Sequence, residues 1–378
     1  MNKIQLRIYE LGLLIKFYFA KFVSLFVKSD GFWLISERGK EARDNAYFFY
    51  NYIKKNHPEV KVKYVISKDS EDLARIEDLS DVVNFASFSH YLAMCKASHL
   101  ISTHIMGYTP DHYVFSLFDR YFNLFTKQKK VFLQHGITQN NISALYAENV
   151  NLDLFICGAK GEFDYVYNTF HYPRGIVQYT GLCRYDNLNS FKSKKQILIM
   201  PTWRSYIDKN HFEDSEYYKV YAELLTSPLL EKITHKYGYE VIFYPHFEVQ
   251  SNLSSFKKLN LSSNIKIAGF EYDVQTLLKE SALLITDYSS VYFDMAYMKK
   301  SILLYQFDKN KFHYKPGYFD VSDIGFVTSS LNDLLSHLED SLKNNCKMDS
   351  KKTDFVDQFF SYCDDKNCER VYNAINEL

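Results

Sequence analysis

Short apolar runs recur along the chain, and polar turns and stretches of helical spacing separate them. A strand that is apolar throughout, rather than at alternate residues, has to be buried on both faces. That condition is met in parallel sheets covered by helices. Residues 33–36, 60–66, 82–85, 99–102, 131–134 and 154–157 form a first series of such strands, with helical stretches at 42–55 and 90–97. The series ends at Gly181–Asp186, and a polar linker at 187–195 follows. A second series starts at 197–200 and continues at 239–244, 265–267, 283–286 and 302–305, with helices at 215–225 and 274–280 and a closing helical tail over 355–378. Two successive βα series predict an α/β chain of two Rossmann-like domains facing each other across a cleft, at 31–186 and 187–378. The length of 378 residues suits two cores rather than one.

Bulk composition narrows the function. Lys plus Arg and Asp plus Glu are equal at 45 each, which argues against a nucleic-acid binder, whose charge would be basic. The six cysteines form no paired C-x-x-C units, so they predict neither a zinc site nor a disulfide framework, and a reducing compartment suits them. Tyr and Phe, with 32 and 31 copies, reflect codon bias more readily than a carbohydrate-binding surface.

Residues 1–30 show no signal peptide. They interleave Leu, Ile and Phe with five basic and two acidic residues. Their apolar runs are too short to span a bilayer, which takes about 20 residues. An amphipathic helix lying on an anionic membrane surface is the expectation, against the alternative of a first helix packed on the protein's own core.

Ligands of open α/β sheets bind beyond the carboxyl ends of the strands, so the residues at the strand ends are the candidates. One strand stops at Leu133-Gln134-His135-Gly136. A positive φ at Gly136 would turn the chain sharply and leave the imidazole of His135 at the tip, where it can act as acid or base. A second strand ends at Tyr244-Pro245-His246. A third gives way to Thr286-Asp287-Tyr288-Ser289-Ser290 and then to a helical pattern containing Asp294. Ser289 or Ser290 is a natural N-cap, and a helix start of this kind can hold a pyrophosphate. Asp287 either orients His246 or binds a hydroxyl of the transferred group. Arg204, in Met200-Pro201-Thr202-Trp203-Arg204, is expected to clamp phosphate, and Arg184 is a secondary candidate at the domain junction. No paired-carboxylate metal motif stands at a strand end, so no metal is called for.

Taken in order, LQHGITQ, GLCRYD, MPTWR, YPH and ITDYSSVYFDMAYMKKSILLYQFD resemble the CDP-glycerol glycerophosphotransferases of teichoic acid and capsule synthesis. The likeness runs from Val131 to Asp308. It departs at Cys183, where proline is frequent. The resemblance implies the two-domain GT-B arrangement, with an acceptor-side first domain, a nucleotide-donor-binding second domain and a membrane-associating N-terminal segment. It further implies a peripheral enzyme at the cytoplasmic face of the cell membrane. Glycerol phosphate would pass from CDP-glycerol to a hydroxyl of a lipid-linked acceptor, releasing CMP, with no cofactor besides the donor. His135, His246 and Asp287 would then be catalytic. Gly136, Arg204, Thr286, Tyr288, Ser289 and Ser290 would bind the donor, with Arg184 and Asp294 secondary. CDP-ribitol as donor, sugar transfer on the same fold, and a non-catalytic scaffold are the competing readings. The chain's length leans the expectation towards a priming or short-product enzyme.

Overall fold

A computed structural model describes residues 2–28, 31–311 and 317–378. Residues 1, 29 and 30 of the expected membrane-surface segment lie outside the described residues. The chain forms two compact units, Met1–Asn187 with Asp364–Leu378, and Leu188–Cys363.

The first unit is a seven-stranded, all-parallel sheet. Its strands are β1 (Trp33–Ser36), β2 (Val62–Ile66), β3 (Val82–Asn84), β4 (His99–Ser102), β5 (Lys129–Phe132), β6 (Leu154–Cys157) and β7 (Val177–Tyr179). They lie in the order β3-β2-β1-β4-β5-β6-β7. Every residue of β1 and β6 is buried, as their apolar sequences require. Helices α1 (Lys3–Ser24), α2 (Asn45–Asn56), α3 (Phe88–Lys96), α4 (His112–Phe122) and α5 (Lys160–Thr169) belong to this unit. Helix α1 starts with a capping box between Asn2 and Gln5 and buries only Leu13, Phe17 and Ala20. Phe17 packs edge-on against Phe115 of α4.

The second unit is a six-stranded parallel sheet in the order β10-β9-β8-β11-β12-β13. Its strands are β8 (Gln196–Ile199), β9 (Glu240–Phe243), β10 (Ile265–Ile267), β11 (Leu283–Thr286), β12 (Ser301–Tyr305) and β13 (Phe326–Thr328). Helices α6 (Glu216–Leu225), α7 (Pro228–Tyr237), α8 (Leu253–Lys257), α9 (Val274–Glu280), α10 (Val291–Tyr297), α11 (Leu331–Lys343) and α12 (Ser350–Phe359) complete it. Helix α7 shows how locally these ends are written. Ser227 caps it, Pro228 occupies its first turn, and Gly238 closes it at φ +71°.

The tail departs from expectation. Residues 355–378 are not one helix closing the second domain. Helix α12 stays with the second unit, whereas α13 (Asn367–Asn376) completes the first. Its Cys368, Val371, Ala374 and Ile375 join the core that contains Trp33, Phe49 and Ile156. Asp186 fixes its start by accepting from the Asn367 and Cys368 N–H groups, each at 2.8 Å. Gly181, at φ +82°, leaves room for Asn367, whose side chain a Cβ would overlap.

Candidate active site

In each unit the strand order reverses beside a central pair of strands, β1/β4 in the first and β8/β11 in the second, and polar side chains gather at the carboxyl ends there.

In the first unit, Leu133 extends β5 by donating its N–H to the Ser102 carbonyl at 2.8 Å. The chain then turns at Gln134, not at Gly136. Gln134 takes φ +58°, a left-handed conformation costly for a residue with a Cβ, while Gly136 is buried without a positive φ. Four side-chain hydrogen bonds hold Gln134 there. Asn45 donates to its carbonyl at 2.7 Å, and its own amide donates to the Ile156 carbonyl at 2.7 Å and to Glu162 Oε1 at 2.9 Å. Thr138 donates to its Oε1 at 2.6 Å. The buried Glu162 carboxylate also accepts from the Thr138 and Gly158 N–H groups at 2.5 and 2.6 Å, and burial raises its pKa to about 7.

His135 then stands at the tip. Its ring stacks on that of His104, which follows β4, with centroids 4.6 Å apart and planes 11° from parallel. Arg38 Nε donates to His104 Nε2 at 2.9 Å, so Nδ1 carries the proton and donates to Thr103 Oγ1 at 3.0 Å. Burial, followed by the charges of His135 and Arg38, lowers the His104 pKa to about 2. His135 is exposed to solvent, yet desolvation by the surrounding protein atoms lowers its pKa. Asp44 and a hydrogen bond to the Thr103 backbone pull the other way. Both rings are therefore neutral at pH 7, and His135 can accept a proton.

Arg184, expected near a domain junction, supports this turn from below. Its Nη1 donates to the His135 carbonyl at 2.7 Å and pairs with Asp44 Oδ1 at 2.9 Å. The N-terminus of α2, a natural anion site, is already filled. Asp44 caps it, and Glu37 accepts from the Arg43, Asp44 and Tyr47 N–H groups. Burial raises the pKa of both carboxyls.

In the second unit, Arg204 is 0% exposed, and so is Asp287. Arg204 Nη2 pairs with Asp287 Oδ2 at 2.8 Å, its Nε with Asp308 Oδ2 at 2.6 Å, and its Nη1 donates to the Thr202 carbonyl at 2.8 Å. The guanidinium also faces the Tyr288 ring at 4.9 Å. The expectation that Arg204 clamps phosphate is thus corrected, because a side chain sealed from solvent on two carboxylates presents no fork to a ligand. Asp287 is corrected with it. Its carboxylate accepts from Arg204, the Thr202 and Tyr288 N–H groups and Tyr221. It ties β8 to β11 instead of serving a substrate. Thr286 donates to the Met200 carbonyl at 2.6 Å, a second tie between the same strands. Tyr288 and Asp294 are buried.

Ser289 and Ser290 are half-buried at the head of α10. Ser290 is no side-chain cap. It already has the helical conformation, at φ −61° and ψ −8°, so its hydroxyl makes no capping hydrogen bond. Ser289 Oγ accepts the Val291 N–H only at 3.5 Å. His246 follows β9. Its Nδ1 accepts the Glu248 N–H at 3.3 Å, which leaves the proton on Nε2. That backbone contact supplies the orientation expected from Asp287.

Sequence reading missed His104, Arg38, Asp44 and Glu162. The signal for His104 was present, since residues 99–102 read as a strand whose next polar tip is Thr103-His104.

Residues 16–377 match the family described as CDP-Glycerol:Poly(glycerophosphate) glycerophosphotransferase. The minor teichoic acid biosynthesis protein GgaB of Bacillus subtilis (strain 168) is 35% identical over 365 residues, which cover 92% of this chain and 40% of that protein. The teichoic acid glycerol-phosphate transferase of Staphylococcus aureus (strain NCTC 8325 / PS 47) is 25% identical over 304 residues, covering 73% of this chain and 74% of that protein. The chain spans less than half the length of GgaB and of the B. subtilis poly(glycerol phosphate) polymerase, at 40% and 48%. Among solved structures, the wall teichoic acid polymerase TagF shares the fold, with TM-score 0.68 and 17% identity over 100% of this chain and 98% of that one. By residue pattern and by match over nearly its whole length, the chain belongs to the CDP-glycerol:poly(glycerophosphate) glycerophosphotransferase family.

Proposed function

We propose that this chain transfers glycerol phosphate from CDP-glycerol to a hydroxyl of a lipid-linked acceptor. The observation that carries the proposal is the neutral, stacked His135–His104 pair at the carboxyl edge of the first sheet. The acceptor oxygen attacks the phosphorus bonded to glycerol, and its proton passes to His135. The bond from that phosphorus to the bridging oxygen breaks, and CMP leaves with the electron pair. His246, through Nε2–H, and the Ser289 and Ser290 hydroxyls stabilise the charge on the leaving phosphate. No cofactor beyond the donor is called for.

CDP-ribitol is the second reading. It is favoured by the ribitol-phosphate polymerase TarL of S. aureus, 28% identical over 187 residues. No helix among the described residues is long and apolar enough to cross a membrane. The exposed apolar side of α1 supports a peripheral position on a membrane surface instead.

The test follows CMP release from CDP-glycerol, CDP-ribitol and UDP-sugars offered separately with a membrane acceptor fraction. His135→Ala and His246→Ala should each lower turnover by about 10²- to 10⁴-fold. Near wild-type turnover in both variants would refute the assignment, and activity with a nucleotide sugar alone would overturn the donor.

A further inference from the structure

We infer that a groove along α4 holds the hydrocarbon chain of the acceptor lipid, an inference that rests on the lipid-linked acceptor proposed above. The groove lies within the first unit, between α4 and the loop 143–150 that follows the Gln134–His135 turn. Its volume is about 470 Å³, within the usual range of small-molecule sites. Ile105, Tyr113, Leu117, Ala144 and Val150 give it an apolar wall. Tyr113 and Leu117 are 79% and 44% exposed and stand one helical turn apart, and Tyr121 continues the row. In a solvated protein such a row is costly unless something covers it.

Three observations select the occupant. The first is position. Ile105 follows His104 in the chain, so one end of the groove lies beside the stacked histidines. The second is charge. Arg120 is the charged residue of the lining, no acidic side chain joins it there, and it forms no ion pair among the described residues. An apolar wall with the cationic Arg120 at one end fits an anionic amphiphile. The third is continuity. Helix α1 lies against α4 through Phe17–Phe115, the Tyr9 hydroxyl on Asp111 at 3.0 Å and Lys21 Nζ on the Leu124 carbonyl at 3.1 Å. The rest of α1 leaves Ile8, Leu11, Ile15, Phe19 and Phe22 exposed. Helix α4 thus carries the groove on one side and meets the helix read as membrane-facing on another. From His112 to Arg120 the groove follows α4 for about 12 Å. A water-soluble acceptor would use none of this wall.

The experiment compares two acceptors with the same head, one carrying a long isoprenoid chain in detergent micelles and one a short, water-soluble chain. Ala144→Trp fills the groove from an exposed position. It should raise KM for the long-chain acceptor about tenfold or more, because losing two buried methylenes is worth that much. KM for CDP-glycerol and the rate with the short-chain acceptor should stay within about twofold. A long-chain isoprenoid phosphate bearing a diazirine should label peptides from 112–120 and 143–150. The label is also read in His135→Ala, where turnover is not needed, so the groove is tested separately from the transfer reaction. Equal losses for both acceptors would overturn the inference. Labelling confined to α1 would overturn it, and so would Leu117→Glu converting a dimer of this chain to monomers with both KM values unchanged.

Discussion

Arg38 and Arg204 show how one residue type serves opposite ends of the dielectric range. Arg38 is exposed, donates to His104, and its charge lowers the pKa of both stacked rings. Arg38→Gln removes that charge. Both folded-state pKa values then rise, and the acid limb of the rate profile, set by loss of neutral His135, moves to higher pH. A pH profile of kcat/KM for the acceptor checks this, and an unmoved or downward-moving limb would contradict the assigned geometry. Arg204 is buried between Asp287 and Asp308. Arg204→Ala leaves two carboxylates without their cation and should cost about 3–5 kcal/mol in urea unfolding. A variant of wild-type stability with weakened donor affinity would restore the phosphate-clamp role. The sequence could not separate these cases, because an arginine four residues past the strand read at 197–200 reads as an exposed phosphate ligand until its partners 83 and 104 residues away are placed. The histidines were easier. His135 and His246 stand directly at strand ends, and only His104, one residue beyond Thr103, went unread.

At the scale of elements, the Gly181–Asp186 segment works as a bracket. Gly181 admits α13, Asp186 caps it, and Arg184 reaches the His135 carbonyl and Asp44. Truncation after Cys363 should therefore loosen the His135 turn as well as the core. Losing buried Val371 and Ile375 alone should destabilise the first unit by about 4 kcal/mol. Calorimetry should show the transition of the first unit moving down while that of the second stays. A single unshifted transition would mean that α13 merely decorates the surface. Central strands such as β1, β6, β8 and β11 were legible because burial on both faces makes them apolar throughout. The edge strands β7 and β13, three residues each and only partly buried, were not read, although β3 and β10 of the same length were. The home of α13 was illegible because amphipathic spacing says which face is buried, never against what.

On the scale of the whole molecule, α1 buries three residues and exposes a row of large apolar ones among basic residues. The protein should sediment with vesicles containing anionic lipid and be released by added salt, each lysine near the surface contributing about 1 kcal/mol. Phe19→Glu with Phe22→Glu should abolish binding and leave the unfolding transition unchanged. Equal binding by that variant would show that α1 is not the attachment surface.

The first unit is also assembled from both sides of the second, residues 364–378 returning to it after 188–363 have been made. During synthesis its sheet emerges early but lacks α13, so Trp33 and His57, which Tyr372 will cover, wait on an open face. At about 5–20 residues per second that wait lasts on the order of ten to thirty seconds. The first unit is thus finished after the second, and the proposed base at His135 gains its full support only once the ribosome has delivered α13.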